Sequence, residues 1–221
     1  MATPAAAGLE FAPPGVEVEP RQDGGMVLRS PYPLDAYPAS VPAMLHRWEA
    51  EAPARVWMAE RPAPPVTDAP WRKLGYGEAG DAVRRLGQAF LDRGVSPERP
   101  VMLLSDNAID HALVQLAAMQ AGVPAAPVSP AYSLMSRDHD RLRNIFDQLT
   151  PGLVYAADGA RFEAAFRALA LGDTPVAVSA NPADGRHELL SELMRTQPGA
   201  AIRDAFARVG PDTIAKILFT S

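Results

Sequence analysis

From residue 76 onward, short apolar runs alternate with longer segments in which apolar residues recur three and four positions apart. The short runs are predicted as strands at residues 101–104, 123–128, 153–156 and 175–178. Runs that are apolar at successive positions are typical of strands buried on both faces of a sheet. The alternation therefore predicts an α/β fold, with a mostly parallel sheet flanked by helices.

The segments between these strands are predicted as amphipathic helices. The first has Ala79, Val83, Leu86 and Phe90 on one face and ends before Gly94, a usual helix stop. The same reasoning places helices at residues 76–93, 109–121, 137–149, 161–171, 189–195 and 201–209.

The last ten residues are predicted to form a further buried strand, at residues 214–219, that leads into a loop. Thr220 and Ser221 offer two hydroxyl groups where this strand ends. Many α/β proteins begin a phosphate site with a strand followed by a hydroxyl-rich loop. We expect the chain to be the N-terminal part of a longer protein, because this loop is only two residues long.

The N-terminal part has a different composition. Residues 1–28 are rich in Pro, Gly, Ala and Glu and show little periodicity, which predicts a disordered tail that packs on nothing. The domain is then expected to occupy residues 29–221. Within it, a helix is predicted at residues 41–51, and two short strands at 55–59 and 71–74 are predicted to pair antiparallel.

Composition limits the class of function. A net charge of −5 over 221 residues leaves no basic patch for nucleic acid. No apolar run approaches the ~20 residues that span a bilayer, and the N-terminus lacks the pattern of a secretory signal. The absence of cysteine excludes disulfides, thiolate metal sites and a cysteine nucleophile. We therefore expect a cytoplasmic protein without a nucleic-acid or membrane partner.

One stretch matches the dinucleotide-binding pattern G-x-G-x-x-G. Gly75, Gly77 and Gly80 supply the glycines, and Asp106 follows the next strand at a plausible distance. The strand before this pattern should be a buried apolar run, whereas residues 71–74 are short and polar. The context therefore favours a helix start in which the glycines occupy tolerant positions.

The other polar candidates have simpler interpretations. Residues 138–140, Asp-His-Asp, are neighbours on a predicted helix, so their side chains diverge, and acidic residues in a first turn are stabilised by the helix dipole. We interpret them as a solvated helix start. His46, His111 and His187 occur singly without ligand spacing, and we expect most of them at the surface. No metal site is predicted.

Three segments in sequence order resemble the N-terminal region of adenylate-forming (AMP-binding) enzymes, which include acyl-CoA synthetases, nonribosomal peptide adenylation domains and luciferases. They are Tyr-Gly-Glu-Ala at 76–79, the stretch from Met119 to Tyr132, and Ile-Ala-Lys-Ile-Leu-Phe-Thr-Ser at 214–221. The last matches only the first two positions of the family's phosphate loop, T-S-G-[ST]-[ST]-G-x-P-K-G.

A closer resemblance is to the feruloyl-CoA synthetases of bacteria that degrade hydroxycinnamates. It rests on Leu-Arg-Ser-Pro at 28–31, Ser-Pro-Ala-Tyr-Ser-Leu at 129–134, Ser-Arg-Asp-His at 136–139 and Pro-Gly-Leu-Val-Tyr-Ala-Ala at 151–157. The chain departs from the family by lacking the rest of the glycine loop, the ribose-binding acidic residue, most of the acyl pocket and the small C-terminal domain with its catalytic lysine.

The resemblance implies a ligase reaction in two steps. A carboxylate attacks the α-phosphate of ATP and releases pyrophosphate, and the thiol of CoA then displaces AMP to give a thioester. ATP, Mg²⁺, CoA and a small carboxylic acid would be the partners of the longer protein, with Thr220 and Ser221 contacting the phosphates. No catalytic residue is implied within residues 1–221, so this chain alone is expected to be inactive and prone to association.

Two alternatives of other classes stay open at this point. A dinucleotide-binding oxidoreductase would need residues 71–74 as a central parallel strand, whereas the ligase needs them at an edge. A non-catalytic α/β module would keep the fold without the chemistry, and the coding sequence beyond Ser221 would separate it from the ligase.

Overall fold

The computed structural model describes residues 15–61, 70–183 and 185–219. They fall into two compact units, divided between Tyr37 and Pro38. Each unit is described separately below.

The first unit contains an antiparallel hairpin of strands β1 (Glu17–Pro20) and β2 (Met26–Arg29). The hairpin lies in the segment that we predicted as a tail without structure, so that expectation is corrected for these residues. A tight turn closes the hairpin: Gly24 has a φ of +83°, and the Gly25 N–H donates to Asp23 Oδ1 at 3.0 Å. An Asp-Gly-Gly turn signal was present in the sequence, between short alternating segments.

The second unit is built on a five-stranded parallel sheet. Its strands are β5 (Val101–Leu104), β6 (Ala125–Pro127), β7 (Leu153–Asp158), β8 (Val176–Ala180) and β9 (Glu188–Leu189), in the spatial order β6-β5-β7-β8-β9. The predicted α/β class with a parallel sheet is confirmed. The four predicted strands within it lie where the apolar runs placed them, and only the short β9 was missed.

Two hydrophobic clusters show that helices cover both faces of this sheet. One face packs against α1 (Val41–Glu51), α2 (Tyr76–Asp92), α3 (Ile109–Gln120), α6 (Leu190–Leu193) and α7 (Ala200–Ala207). The other face packs against α4 (Asp140–Leu149) and α5 (Glu163–Ala168). Val101 to Leu104 are all fully buried, because alternate residues of β5 enter opposite clusters. This double burial is the reason that the strand is apolar at every position.

A separate two-stranded antiparallel sheet is formed by β3 (Val56–Glu60) and β4 (Arg72–Gly75). The predicted antiparallel pair is therefore confirmed. The first residue of α2 follows β4 directly, and Glu78 accepts a hydrogen bond from the Gly75 N–H at 2.8 Å, as in a capping box.

The helix predicted at residues 137–149 begins three residues later than expected, at Asp140. His139 has a φ of +56°, in the left-handed region that cannot continue a right-handed helix. A single π-helical turn, Ala131–Met135, precedes it and was not predicted. Ser133 is buried in that turn and its hydroxyl donates to the Pro130 carbonyl.

The strand predicted at residues 214–219 is corrected to an extended segment with one parallel bridge. Lys216 lies opposite Ala125, held by the hydrogen bonds Ala125 N–H to Ala215 O and Ile217 N–H to Ala125 O, each 3.0 Å. Ile214 is 63% exposed and Leu218 is 68% exposed, so the segment is not buried on both faces. It follows the edge of the sheet beside β6.

Candidate functional site

The order of the sheet strands indicates where a ligand would bind. The chain passes from β5 to β6 on one side, and then crosses back to β7 on the other side of β5. In open parallel sheets, ligands bind outside the carboxyl ends of the strands, at the point where the strand order reverses. The candidate site is therefore the carboxyl edge, defined here as the residues that follow β5, β7 and β8 together with the first turn of α3.

Polar side chains link the loops at this edge. Arg161 Nη1 donates to Asp106 Oδ2 at 2.8 Å, which joins the loop after β7 to the loop after β5. Asp158, at the end of β7, accepts from the Arg161 N–H at 2.9 Å and from Asn181 Nδ2 at 2.7 Å. Burial acts to raise the pKa of Asp158, but these hydrogen bonds outweigh it and hold the pKa below its ordinary value. The carboxylate is therefore ionised at neutral pH.

A second series of hydrogen-bonded side chains connects the elements that form the carboxyl edge. The Ser179 hydroxyl donates to Asp110 Oδ2 at 2.6 Å and lies 2.9 Å from the Tyr155 hydroxyl. Because the Ser179 proton is given to Asp110, the Tyr155 hydroxyl must be the donor to Ser179. Burial raises the pKa of Tyr155, which keeps this phenol protonated. These hydrogen bonds thus connect β7 and β8 to the first turn of α3.

The β3–β4 sheet is connected to the same helix start. Arg72 donates to Asp110 at 2.6 Å and to Glu60 at 2.8 Å, while Glu60 Oε2 accepts from the Ile109 N–H at 2.7 Å. Ala108, at the cap position of α3, has no side chain that could accept this bond. Glu60 therefore takes the place of the missing cap from a distant strand.

Ser105 and His111 form a hydrogen-bonded pair at the carboxyl edge. Ser105 follows β5 directly and is 5% exposed, and its Oγ lies 2.5 Å from His111 Nδ1 in the first turn of α3. Burial lowers the pKa of His111, and the nearby charge of Lys216 lowers it further. The imidazole is therefore neutral at pH 7. One sequence signal for this pair was not used: the end of a strand and the start of the next helix meet at one edge of the sheet.

Thr220 and Ser221, the predicted phosphate-binding residues, lie outside the described residues. The segment that leads to them is described as far as Phe219. Ile217 and Phe219 pack against the cluster that contains α4 and α5. The assignment of Thr220 and Ser221 to phosphate stays a prediction.

The G-x-G-x-x-G pattern serves helix packing in this structure. A Cβ on Gly77 would lie 3.2 Å from the Pro53 Cβ, and one on Gly80 would overlap the Glu49 carboxylate. That carboxylate accepts two hydrogen bonds from Arg84, at 2.6 and 2.7 Å. Strand β4, which precedes the pattern, belongs to the small antiparallel sheet rather than to the parallel one. The dinucleotide interpretation is therefore not supported.

The three single histidines, expected mostly at the surface, are each partly buried. His46 is partly buried between Glu49, at 2.9 Å, and Gln120, at 2.8 Å. His187 accepts a hydrogen bond from the Ala183 N–H at 3.1 Å, and its ring meets Phe166 edge to face. Spacing along the sequence did not reveal these partners, because most of them come from other elements.

Two kinds of feature are absent from the described part of the chain. No group of three or more His, Asp or Glu side chains there could hold a metal ion. No described helix is long and apolar enough to cross a membrane.

The lowered pKa values of His111 and His187 predict how the stability of the fold depends on pH. Burial lowers the pKa of both His111 and His187, so the unfolded chain binds protons more readily than the folded chain below pH ~6.5. The free energy of unfolding should therefore fall as the pH decreases from about 6.5 toward the folded pKa values. Urea unfolding at several pH values measures this fall.

The pH dependence has a matched control. A double variant, His111→Gln with His187→Gln, should lose most of the slope in this window. Glu49 and Glu188 have lowered pKa values through hydrogen bonds from Arg84 and Arg93, so their contribution is lost only below their ordinary value of 4.5. An unchanged slope in the double variant would contradict the assignment to these two imidazoles.

Comparison with known proteins gives a family match over most of the chain. The model of the AMP-binding enzyme family matches residues 47–221. A curated relative, the phosphinothricin tripeptide synthetase PhsC of Streptomyces viridochromogenes, is 28% identical over 156 residues, which cover 71% of this chain and 13% of that protein.

Solved structures of low sequence identity share the fold. The N-terminal domain of FACL13 from Mycobacterium tuberculosis superposes with a TM-score of 0.57 at 20% identity and covers 81% of this chain and 41% of its own. A benzoate CoA ligase from Burkholderia xenovorans gives a TM-score of 0.55 at 21% identity, covering 72% of this chain and 29% of its own. The chain thus spans less than half the length of each of these proteins.

Proposed function

The chain belongs to the AMP-binding enzyme family, and on that premise we propose that it is the N-terminal part of an ATP-dependent carboxylic acid–CoA ligase. The observation that carries the proposal is the match of the family over residues 47–221. It is supported by a parallel sheet whose carboxyl edge is built from polar, hydrogen-bonded loops, which is where α/β proteins place their ligands.

The proposed reaction joins a carboxylic acid to a thiol at the expense of ATP. A carboxylate oxygen attacks the α-phosphorus of ATP, the bond to the β-phosphate oxygen breaks, and pyrophosphate leaves. The sulfur of CoA then attacks the acyl carbon, AMP leaves, and the thiol proton passes to solvent or a base. Such a reaction depends on fixed donors and cations that stabilise phosphate charge. ATP, Mg²⁺ and CoA are the proposed partners.

We propose a hydroxycinnamic acid such as ferulate as the acid substrate. The support is the likeness of residues 28–31, 129–134, 136–139 and 151–157 to feruloyl-CoA synthetases. The relatives named above include a peptide synthetase and a benzoate CoA ligase. The test must therefore cover amino acids and benzoate beside ferulate, and must treat CoA as one of several possible acyl acceptors.

The first experiment measures ATP–pyrophosphate exchange by the full-length protein that contains this chain. Exchange that depends on ferulate, followed by thioester formation with CoA, is the expected result. Exchange with another acid alone would overturn the hydroxycinnamate proposal and keep the ligase. No exchange with any acid would overturn the ligase proposal itself.

The second prediction concerns the proposed phosphate-binding residues. Thr220→Ala or Ser221→Ala in the full-length protein should lower the exchange rate by a factor of about 10²–10³, the usual effect of losing one fixed donor to a developing charge. Thr213→Ala is the matched control, because the Thr213 hydroxyl accepts from the Gly210 N–H at 2.9 Å within its own turn. Wild-type rates in both Thr220→Ala and Ser221→Ala would refute the assignment.

A further inference from the structure

We propose that His111 donates a hydrogen bond to an oxyanion of the ligand at the carboxyl edge, and that Ser105 is the positioning residue that fixes its ring. The inference rests on the proposed function, since it names a contact within the same site. The oxyanion is a carboxylate of the acid or a phosphate of ATP or CoA, and the experiment below separates these sources.

The first step is that the ring is held in one orientation. Ser105 Oγ lies 2.5 Å from His111 Nδ1, and Ser105 itself is 5% exposed at the end of β5. His111 is the third residue of α3, whose start is fixed by the Glu60 bond to Ile109. The imidazole is thus anchored both through its backbone and through one ring nitrogen.

The second step concerns the tautomer. Ser105 has no hydrogen-bond partner other than His111 among the described residues, and a buried hydroxyl proton without an acceptor costs free energy. The Ser105 hydroxyl therefore donates to Nδ1, which must carry the lone pair. In a neutral imidazole the proton then sits on Nε2. His111 presents an N–H donor on the side away from Ser105.

The third step is that this donor is open. His111 Nε2 has no hydrogen-bond partner in the described part of the chain. Every buried side-chain nitrogen or oxygen there does have a partner, so Nε2 is not one of the buried atoms. Nε2 therefore meets solvent at the carboxyl edge. Binding sites commonly bind a ligand oxygen with a donor of this kind, an N–H group that is held in one orientation and has no acceptor within the protein.

The fourth step is the charge around the donor. The charge of Lys216 acts on the His111 ring and lowers its pKa. The carboxylates nearest in sequence are engaged by cations: Asp106 pairs with Arg161, and Asp110 pairs with Arg72. The neighbourhood of the open N–H thus favours a ligand atom with negative charge over a cation or a neutral group.

Two substitutions of His111 separate the functions of its ring nitrogens. His111→Asn places an amide near the position of Nδ1 and can keep the contact with Ser105, but it removes the distal donor. His111→Gln extends its amide to the position of Nε2. In the full-length protein, His111→Asn should raise the KM for one of ATP, acid or CoA by about tenfold, the usual effect of losing a hydrogen bond to a charged group. His111→Gln should recover part of this loss.

Ser105→Ala tests the positioning role, because it frees the ring without removing it. We expect a rise in the same KM, smaller than that of His111→Asn, with little change in kcat. His139→Asn is the matched control, since His139 has a φ of +56°, which asparagine tolerates. The substrate whose KM rises identifies the oxyanion as a carboxylate or a phosphate. If no KM changes in an active enzyme, the inference is overturned while the proposed function stands.

A readout without turnover separates this inference from the ligase proposal. The ring resonances of His111 are recorded in the full-length protein by nitrogen-15 NMR, with pyrophosphate, ferulate or CoA added in turn. A saturable shift of the Nε2 resonance with one of them supports the inference, even where no acid gives exchange. Unchanged Nε2 resonances with all three overturn it.

Discussion

Replacing Phe90 by alanine should lower the free energy of unfolding by about 3–5 kcal/mol, the usual range for a fully buried phenylalanine. Phe90 is fully buried on α2, within the cluster that joins this helix to α3 and the sheet. The substitution removes a ring from a close-packed interior and leaves a cavity whose lining loses its contacts. Equilibrium urea unfolding measures the loss.

The matched control is Phe206→Ala on α7. Phe206 is only partly buried and meets the His46 ring edge to face at 5.4 Å. Removing it leaves a smaller cavity, so we expect a clearly smaller loss of stability than for Phe90→Ala. Equal losses for the two variants would show that the core is not centred on the contact of α2 with the sheet.

The burial of Phe90 was predictable from the sequence, and so was most of the sheet. Residues 101–104 form β5 with the predicted bounds because strands buried on two faces are apolar at each position. The helix at residues 41–51 also has its predicted bounds, set by the Ser40 cap and Pro42. In these elements the local pattern and the tertiary environment favour the same structure.

The prediction failed where burial depends on a distant partner. The apolar run at residues 214–219 predicted a buried strand. Ile217 and Phe219 pack against one hydrophobic cluster, but Leu218 between them points to the opposite face and stays exposed. The helix start at residue 137 failed for a local reason, the left-handed backbone of His139. A histidine at such a position gives no signal that is visible in periodicity.

The candidate site was less predictable than the fold. Strand ends located the edge, but the partners across it come from distant parts of the sequence. Ser179 lies 69 residues from Asp110, and Arg161 lies 55 residues from Asp106. Each histidine alone was indistinguishable from a surface residue. Only the folded structure shows that His111 forms a hydrogen bond with the buried Ser105.

Replacing Gly159 by alanine should disturb the carboxyl edge and lower the free energy of unfolding by about 1–3 kcal/mol, the usual cost of overpacking. A Cβ at this position would overlap the backbone oxygen of Asn181 and lie 2.8 Å from His187 Nδ1. A backbone oxygen cannot move aside as the end of a flexible side chain can. The loop after β8 must therefore shift away from β7.

That shift has a second consequence, which distinguishes it from a general loss of stability. Asn181 donates to Asp158 at 2.7 Å, and this bond helps to hold the pKa of Asp158 below its ordinary value. In Gly159→Ala the bond should lengthen or break, and the pKa of Asp158 should rise toward its ordinary value. Carbon-13 NMR of the side-chain carboxyl measures this change, and urea unfolding measures the loss of stability.

Gly210→Ala is the matched control, because no atom lies within 4 Å of a Cβ there. If Gly159→Ala unfolds like the control and leaves the Asp158 pKa unchanged, the close contact between the two loops is not present in solution.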